Sequence, residues 1–406
     1  SPPTGARADW PACPMWCALG VPVLSVIVEQ CLAPVPGGTG RYAGEIAEAL
    51  AAEPAPGWTV RTVTAWHRDL GPARLPGVPG PTRLPAGSRA LAELWRRGWP
   101  PTVRGTRVHA TTPLAPGRRS GLVVTVHDAV PWTHPETLTP RGVSWHRTMI
   151  ARAADRAEWI VVPSLAVADD LAGIFPAAAD RLRVIAHGVT ALIPTPDAER
   201  RRHAFGLPRD YLLSVATLEP RKGLDVLIEA MASSALPDTH LAVVGQPGWG
   251  GLDLSAAAGA AGLPPERLHV LGRLDDVDLA AVLAGATALV APSRSEGFGL
   301  PVLEAMAAGI PVVCSDVPAL VELAGGVGVI VPRENPAALA DALAALIGDP
   351  AAVAELAAGG RRRAADFSWA AAAAAVWALH TGRSTAQPAR AVTGSATARP
   401  SSAGSC

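Results

Sequence analysis

Short apolar runs rich in Val, Leu and Ile alternate along this chain with longer stretches whose apolar positions recur at helical spacing. In the first half the pattern predicts strands at Val23–Val28, Val60–Ala65, Arg107–Ala110, Leu122–Val126, Trp159–Pro163 and Leu182–Ala186. Helices are predicted between them at Gly44–Ala51, Ser88–Trp99, Ser144–Ala154 and Leu165–Leu171, with 68–86 too dense in Pro and Gly for a regular element. The second half repeats the theme, with strands at Tyr211–Ala216, Leu241–Gly245, His269–Leu271 and Ala288–Pro292. Its helices are predicted at Leu224–Met231, Asp278–Leu283, Val302–Ala308, Pro336–Ile347, Ala351–Arg362 and Trp369–Leu379. Alternating strands and helices of this kind build parallel sheets covered on both faces. The chain therefore reads as α/β with two doubly wound domains, 21–190 and 191–364, in which 190–209 is the connecting segment. Residues 1–20 and 381–406, rich in small residues and proline, are expected to be a disordered extension and tail.

One stretch of this pattern carries chemistry. The strand Ala288–Pro292 runs into Glu296-Gly297-Phe298-Gly299-Leu300-Pro301 and then into a helix. Glycines let main chain approach a ligand closely, and Pro301 suits a first helical turn. The amides of Gly297 to Leu300 would then face outward at a helix N-terminus, a seat for phosphate. Carboxylates beside a phosphate need hydroxyl partners. Glu304, one turn into the helix and leaning back toward its start, suits the vicinal diol of a ribose, and Glu296 on the other flank suits a second polyhydroxyl group. Such a ligand is a sugar joined to a nucleoside through a diphosphate.

Two further positions join it. His127-Asp128 follows a predicted strand at the edge where open α/β sheets bind ligands. Arg221 and Lys222 follow another, where a fork and a point charge suit two phosphates. Other patterns carry less. Gly38 to Ala43 matches G-x-G-x-x-A, but Pro34 and Pro36 separate it from the preceding strand, and Val60–Ala65 does not end in the acid that a nicotinamide ribose needs. Asp276-Val277-Asp278 matches the metal-binding D-x-D, although acids at a helix start also answer the helix dipole. Ser88–Trp99 places Leu91, Leu94 and Trp95 on one face beside Arg89, Arg96 and Arg97, and with Trp95 and Trp99 it is a candidate for peripheral contact with an anionic membrane.

Composition narrows the partners. A net charge of zero argues against a nucleic-acid surface. Five cysteines, at 13, 17, 31, 314 and 406, form no paired spacing and point to a reducing, cytosolic compartment. Cys13 and Cys17 have no neighbouring ligands to complete a metal site. The apolar run from Ala18 to Val28 reads as a first core strand, since it lacks a basic flank and contains Pro22.

The stretch Ser293 to Val331, above all SRSEGFGLPVLEAMAAGIPVV, resembles the E-x7-E signature of retaining glycosyltransferases of family 4, which have the GT-B fold. The resemblance covers roughly residues 21 to 380. It implies two Rossmann-like domains facing across a cleft, with the helix at 365–380 crossing back to complete the first. It assigns Glu296 to the donor sugar, Gly297, Phe298, Gly299 and Leu300 to the sugar and diphosphate, and Glu304 to the ribose. It also places Arg221 and Lys222 on the diphosphate, His127 against the sugar, Gly37 and Gly38 beside phosphates and acceptor, and Gly272, Arg273 and Leu274 at the base. His187-Gly188-Val189 resembles the turn that leaves the first domain.

The activity implied is transfer of a sugar from a nucleotide diphosphate donor to an acceptor hydroxyl of a glycan or lipid-linked saccharide, with no metal or other cofactor required. VVTVHD, TLEPRKG and EGFGLPVLEA look most like bacterial mannosyltransferases, so GDP-mannose is the expected donor. A non-catalytic sugar-nucleotide-binding protein would carry the same binding motifs, and a sugar oxidoreductase or epimerase would instead need nicotinamide.

Overall fold

The structure, a computed structural model, describes residues 20–117, 120–248 and 250–383. The first domain holds a seven-stranded sheet of β1 (Val23–Ile27), β2 (Thr59–Trp66), β3 (Thr82–Gly87), β4 (Arg107–Ala110), β5 (Leu122–Thr125), β6 (Trp159–Val162) and β7 (Leu182–Val184). Their order is β3-β2-β1-β4-β5-β6-β7, and every pairing is parallel. The second domain has β8 (Leu212–Val215), β9 (Leu241–Val244), β10 (Leu268–Gly272), β11 (Ala288–Ala291), β12 (Val312–Ser315) and β13 (Val329–Val331), ordered β10-β9-β8-β11-β12-β13 and again all parallel. In each sheet the strand order reverses beside the first strand of the domain. The crevice at such a reversal, outside the carboxyl ends of the strands, is where open sheets take ligands.

Apolar strands need cover on both faces. On one face of the first sheet the helix Gly37–Ala52 packs Tyr42, Ile46 and Leu50, and on the other Leu91, Trp95, Met149 and Leu171 are buried. The last helix, Trp369–Thr381, lies against Gly37–Ala52. Trp377 donates its indole N–H to the Leu50 carbonyl at 3.1 Å and meets Trp58 edge-on at 5.8 Å. The chain thus leaves its first domain, builds the second, and returns.

Several expectations need correction. Thr82–Gly87 is strand β3 although all but its last residue lie within the stretch expected to be irregular. Pro85 misled the reading, because an edge strand has one side free of the ladder and tolerates proline there. The helix expected from Gly44 starts at Gly37, so Gly37 and Gly38 are its first residues rather than part of a loop. The connecting segment contains a helix, Ala198–Ala204, and the last helix runs to Thr381, the first residue of the expected tail. The rest of that tail from 384, and the extension through 19, lie outside the described residues.

The amphipathic helix is Ser88–Arg97, and its Leu91 and Trp95 are fully buried, with the Trp95 indole donating to the Pro101 carbonyl at 2.8 Å. Its apolar face is therefore already covered by protein, and Glu93 pairs with both Arg96 and Arg97. Trp95 is no argument for a membrane face. Trp99 remains 54% exposed, with Arg97 stacked 5.2 Å from its ring.

Candidate functional site

The carboxyl ends of β8 and β11 carry the charged part of the site. After β8 a short 3-10 turn, Pro220–Lys222, presents both cations, and after β11 the loop 292–299 presents Glu296. Lys222 Nζ donates to Glu296 Oε1 at 2.7 Å, Ser293 Oγ to the same oxygen at 2.8 Å, and Arg221 to Oε2 at 3.4 Å. Burial alone would push the Glu296 carboxyl up. Lys222 and Arg221 outweigh it and hold the group below its usual range, so it is ionised at neutral pH. Arg221 also donates to Glu219 at 2.8 Å and to the Ser295 carbonyl at 3.0 Å. Desolvation works against its charge, but Glu296, Glu219 and Asp128 keep it protonated.

The two loops are tied from behind. Arg294 forks onto Asp225 at 2.9 and 2.7 Å, reaches the Pro220 carbonyl at 2.6 Å, and its N–H donates to the Arg221 carbonyl at 2.8 Å. A bidentate fork of this kind fixes direction as well as distance.

The glycines of the loop answer two separate demands. A β-carbon at Gly297 would stand 1.8 Å from the His127 carbonyl oxygen, so only glycine lets the second domain come this close to the first. Gly299 has φ +105°, a conformation that side chains other than glycine's rarely adopt, and it caps the helix Leu300–Ala308, with Pro301 in that helix's first turn. Ser164 at the end of the first sheet donates to the Gly297 carbonyl at 2.8 Å. Glu322 accepts from the N–H of Leu165 at 2.9 Å, so a carboxylate of the second domain caps a helix of the first.

On the first-domain side His127 donates through Nε2 to the Thr111 carbonyl at 2.8 Å, since a carbonyl only accepts. That fixes the proton on Nε2 and leaves Nδ1 as the acceptor of the neutral ring. Burial pulls its pKa below the usual value, more than the Thr111 bond and Asp128 restore. The ring stands edge-on to Tyr42 at 4.8 Å and to His187 at 5.4 Å. Phe298 turns its side chain into this cluster, 4.7 Å from His187 and 5.9 Å from Phe367, and so joins the domain interface while its main chain belongs to the loop.

Glu304 lies one turn into the helix Leu300–Ala308 and is only 7% exposed. Its partner comes from the other domain: Arg41 Nε is 3.2 Å from Oε1. Arg41 also holds Asp276 through two guanidinium nitrogens, at 2.5 and 3.4 Å. Burial pushes the Glu304 carboxyl up to about 7, against the pull of Arg41 and with help from Asp276 and Glu45.

The structure thus brings together Glu296, Arg221, Lys222, the loop Gly297 to Leu300, Glu304 and the His127 main chain. A β-carbon at Gly38 would lie 3.5 Å from the Leu300 side chain, and Gly37 opens the same helix as Arg41. Gly272 ends β10 with φ +69° and its carbonyl accepts from the Gly245 N–H at 2.8 Å; Arg273 is exposed, and Leu274 packs against the core. The match to G-x-G-x-x-A falls within the first turns of the helix Gly37–Ala52, with a 3-10 segment, Glu29–Leu32, between it and β1, so the tight turn that motif requires is not there. Both acids of D-x-D are engaged by arginines, Asp276 by Arg41 and Asp278 by Arg201 at 2.7 Å. Among the described residues no group of three or more His, Cys, Asp or Glu is placed to hold a metal ion.

Sequence reasoning missed Arg41, Ser164, Ser293 and Arg294. Ser293 and Arg294 open the stretch Ser293 to Val331 without having been given a role, and Arg41 is an isolated cation directly after the glycines at 37, 38 and 40.

This geometry meets independent likenesses. The family profile described as "Glycosyltransferase Family 4" matches residues 36–191, and that described as "Glycosyl transferases group 1" matches 196–363. The O-antigen chain mannosyltransferase B of Escherichia coli is 31% identical over 275 residues, 64% of this chain and 70% of that protein. A D-inositol 3-phosphate glycosyltransferase of Frankia alni is 38% identical over 228 residues, 51% of this chain and 54% of that one. The chain spans about half the length of that relative. Among solved structures, the HepE protein of Anabaena in complex with UDP-glucose has a TM-score of 0.70 at 21% identity, covering 89% of this chain and 100% of that one. Sucrose-phosphate synthase of Thermosynechococcus elongatus has the same TM-score at 23% identity, covering 89% and 99%. Two parallel sheets meeting over a shared loop, each half matching its own profile, show that the chain belongs to glycosyltransferase family 4 and has the GT-B fold.

Proposed function

We propose that this chain moves a sugar, mannose from GDP-mannose, to an acceptor hydroxyl of a glycan or lipid-linked saccharide with retention at the anomeric carbon. The observation that carries the reading is Glu296 held ionised by Lys222 and Arg221 beside a helix N-terminus. The two cations and the loop amides supply positive potential where a leaving diphosphate gains charge, and the carboxylate accepts from a sugar hydroxyl. Glu304 would accept from the ribose, the end of β10 would take the base, and His127 would orient the donor sugar. The acceptor would enter from the first domain beside Gly37 and Gly38. A lipid-linked acceptor would put the protein at the cytoplasmic face of a membrane.

Retention through a covalent intermediate would need a carboxylate nucleophile under the anomeric carbon with a second acid nearby. Glu296 is committed to Lys222 and Ser293, so same-face substitution is the mechanism proposed, in which the departing phosphate oxygen takes the acceptor proton. Activity should survive chelation, because Arg221 and Lys222 would supply the positive charge that a metal otherwise brings to the diphosphate. Strict dependence on added Mn²⁺ or Mg²⁺ would overturn this.

The mannosyl assignment is supported by the Escherichia coli relative and by the motifs around His127, Arg221 and Glu296. A UDP-sugar donor is the second reading, favoured by the UDP-glucose complex of HepE. Incubation with GDP-mannose and with UDP-glucose separately, followed by mass spectrometry and NMR of the products, decides between them. Hydrolysis or transfer of either donor excludes a purely binding role. An inverted anomeric centre rejects the mechanism.

A further inference from the structure

Arg41 belongs to the first domain, yet both of its carboxylate partners belong to the second. Its Nε is 3.2 Å from Glu304 Oε1 and its terminal nitrogens hold Asp276. From this geometry we propose that Arg41 is a positioning residue that reaches across the cleft and favours the charged form of Glu304, the form able to accept from a diol. The proposal rests on the reading of Glu304 as the ribose acceptor and adds to it the first domain's share in nucleotide recognition.

Several elements surround Glu304. Its own helix supplies no cation. The helix Gly37–Ala52 brings Arg41 and Glu45, and the helix Asp276–Ala284 brings Asp276. The helix Pro350–Ala364 packs behind, but its Arg361 lies at Gly309 and its Arg363 at Gly325 and the Leu323 carbonyl. Glu322 of the helix Pro318–Ala324 is engaged with the Leu165 N–H. Among the described residues Arg41 is thus the one cation that offsets burial and two acids at this carboxylate.

A guanidinium suits the task. It stays charged at every relevant pH, and with one nitrogen on one carboxylate oxygen it leaves lone pairs of the carboxylate for a diol. Asp276, 64% exposed at its side chain, anchors the fork from the solvent side. The charge state of the nucleotide-binding carboxylate then depends on the first domain standing in place, which couples domain closure to nucleotide affinity.

Titration calorimetry with UDP and GDP as probes, from about pH 5.5 to about 9, tests this on the full chain and on Arg41→Gln, Asp276→Asn and Glu304→Gln. In the unaltered protein affinity should rise with pH through about 7, as Glu304 ionises. Arg41→Gln should move that rise up by about one pH unit or more, since an opposite charge at this distance is worth about that much. Asp276→Asn removes a neighbouring acid and should move it down. A purely structural role for the Arg41–Asp276 pair would move both variants the same way or leave the midpoint unmoved, and either result overturns the proposal. So would an Arg41→Gln protein that binds more tightly at every pH, which would make Arg41 a competitor of the nucleotide. Glu304→Gln separates the two layers: weaker binding without a pH limb keeps the ribose reading, whereas unchanged affinity and limb reject that reading itself.

Discussion

Glu296 and Glu304 stand at the two ends of one loop and helix, the first partly and the second wholly buried, and their surroundings push them in opposite directions. Glu296 has two cations from its own domain and a serine hydroxyl, and its carboxyl is held below the usual range. Glu304 has, among the described residues, a single cation, borrowed from the other domain, two acids nearby, and a carboxyl pushed up to about 7. The same side chain, shielded from water in both places, is therefore fixed in charge at one end and near its midpoint at the other. Counter-ion supply decides this rather than burial, because burial raises both. The fixed end suits chemistry on a sugar, and the tunable end suits binding.

The comparison breaks most sharply at the fixed end. Glu296→Gln should lower turnover by about 10²- to 10³-fold, the range for loss of one preorganised polar contact in an active site. It should leave nucleoside diphosphate affinity unchanged or raised, because Lys222 and Arg221 lose a competing anion. Steady-state kinetics beside calorimetry would show it, and an equal loss in both would place Glu296 on the nucleotide instead. Gly297→Ala comes next. A methyl group 1.8 Å from the His127 carbonyl must force the domains apart, and a displacement of that kind costs roughly 10²-fold in rate. Each domain should keep its fold, so circular dichroism should be unchanged while activity falls.

At the tunable end, Glu304→Gln should weaken nucleoside diphosphate binding by about 1.5 to 3 kcal/mol, the worth of a hydrogen bond to a charged group. Calorimetry at pH 8, where the carboxyl is ionised, is the appropriate measurement. The smallest effect sits between the two ends. His127→Ala should slow transfer modestly through lost positioning while leaving the pH profile without a missing limb. Burial keeps the imidazole neutral, and its Nε2–H is committed to Thr111. Disappearance of a limb near the ordinary histidine pKa, about 6.5, would make it a base after all.

Much of this was legible in the sequence, for reasons particular residues make plain. The loop from Glu296 to Leu300 and the pair Arg221-Lys222 are contiguous signals, because main-chain amides and a strand-to-helix turn must come from adjacent residues. The strand pattern was legible for the same reason, except at β3, where Pro85 and Gly87 hid an edge strand, and at β12 and β13, two short runs after the Glu296 loop that the sequence reading did not assign as strands. Arg41 with Glu304 and Asp276, and Ser164 with Gly297, join residues far apart in the chain. Nothing in a local pattern announces a contact between domains. The helix Ser88–Arg97 shows the converse failure: its amphipathic period was visible, but periodicity does not say whether protein or lipid covers the apolar face.

The return of the last helix to the first domain sets an order on biosynthesis. Ile46, Leu50 and Trp58 take their cover partly from Val376 and Trp377, which leave the ribosome only after the whole second domain. The first domain, although made first, therefore waits with an apolar groove open while its neighbour folds. The two domains cannot be separated by a single cut without leaving one of them short of its final helix.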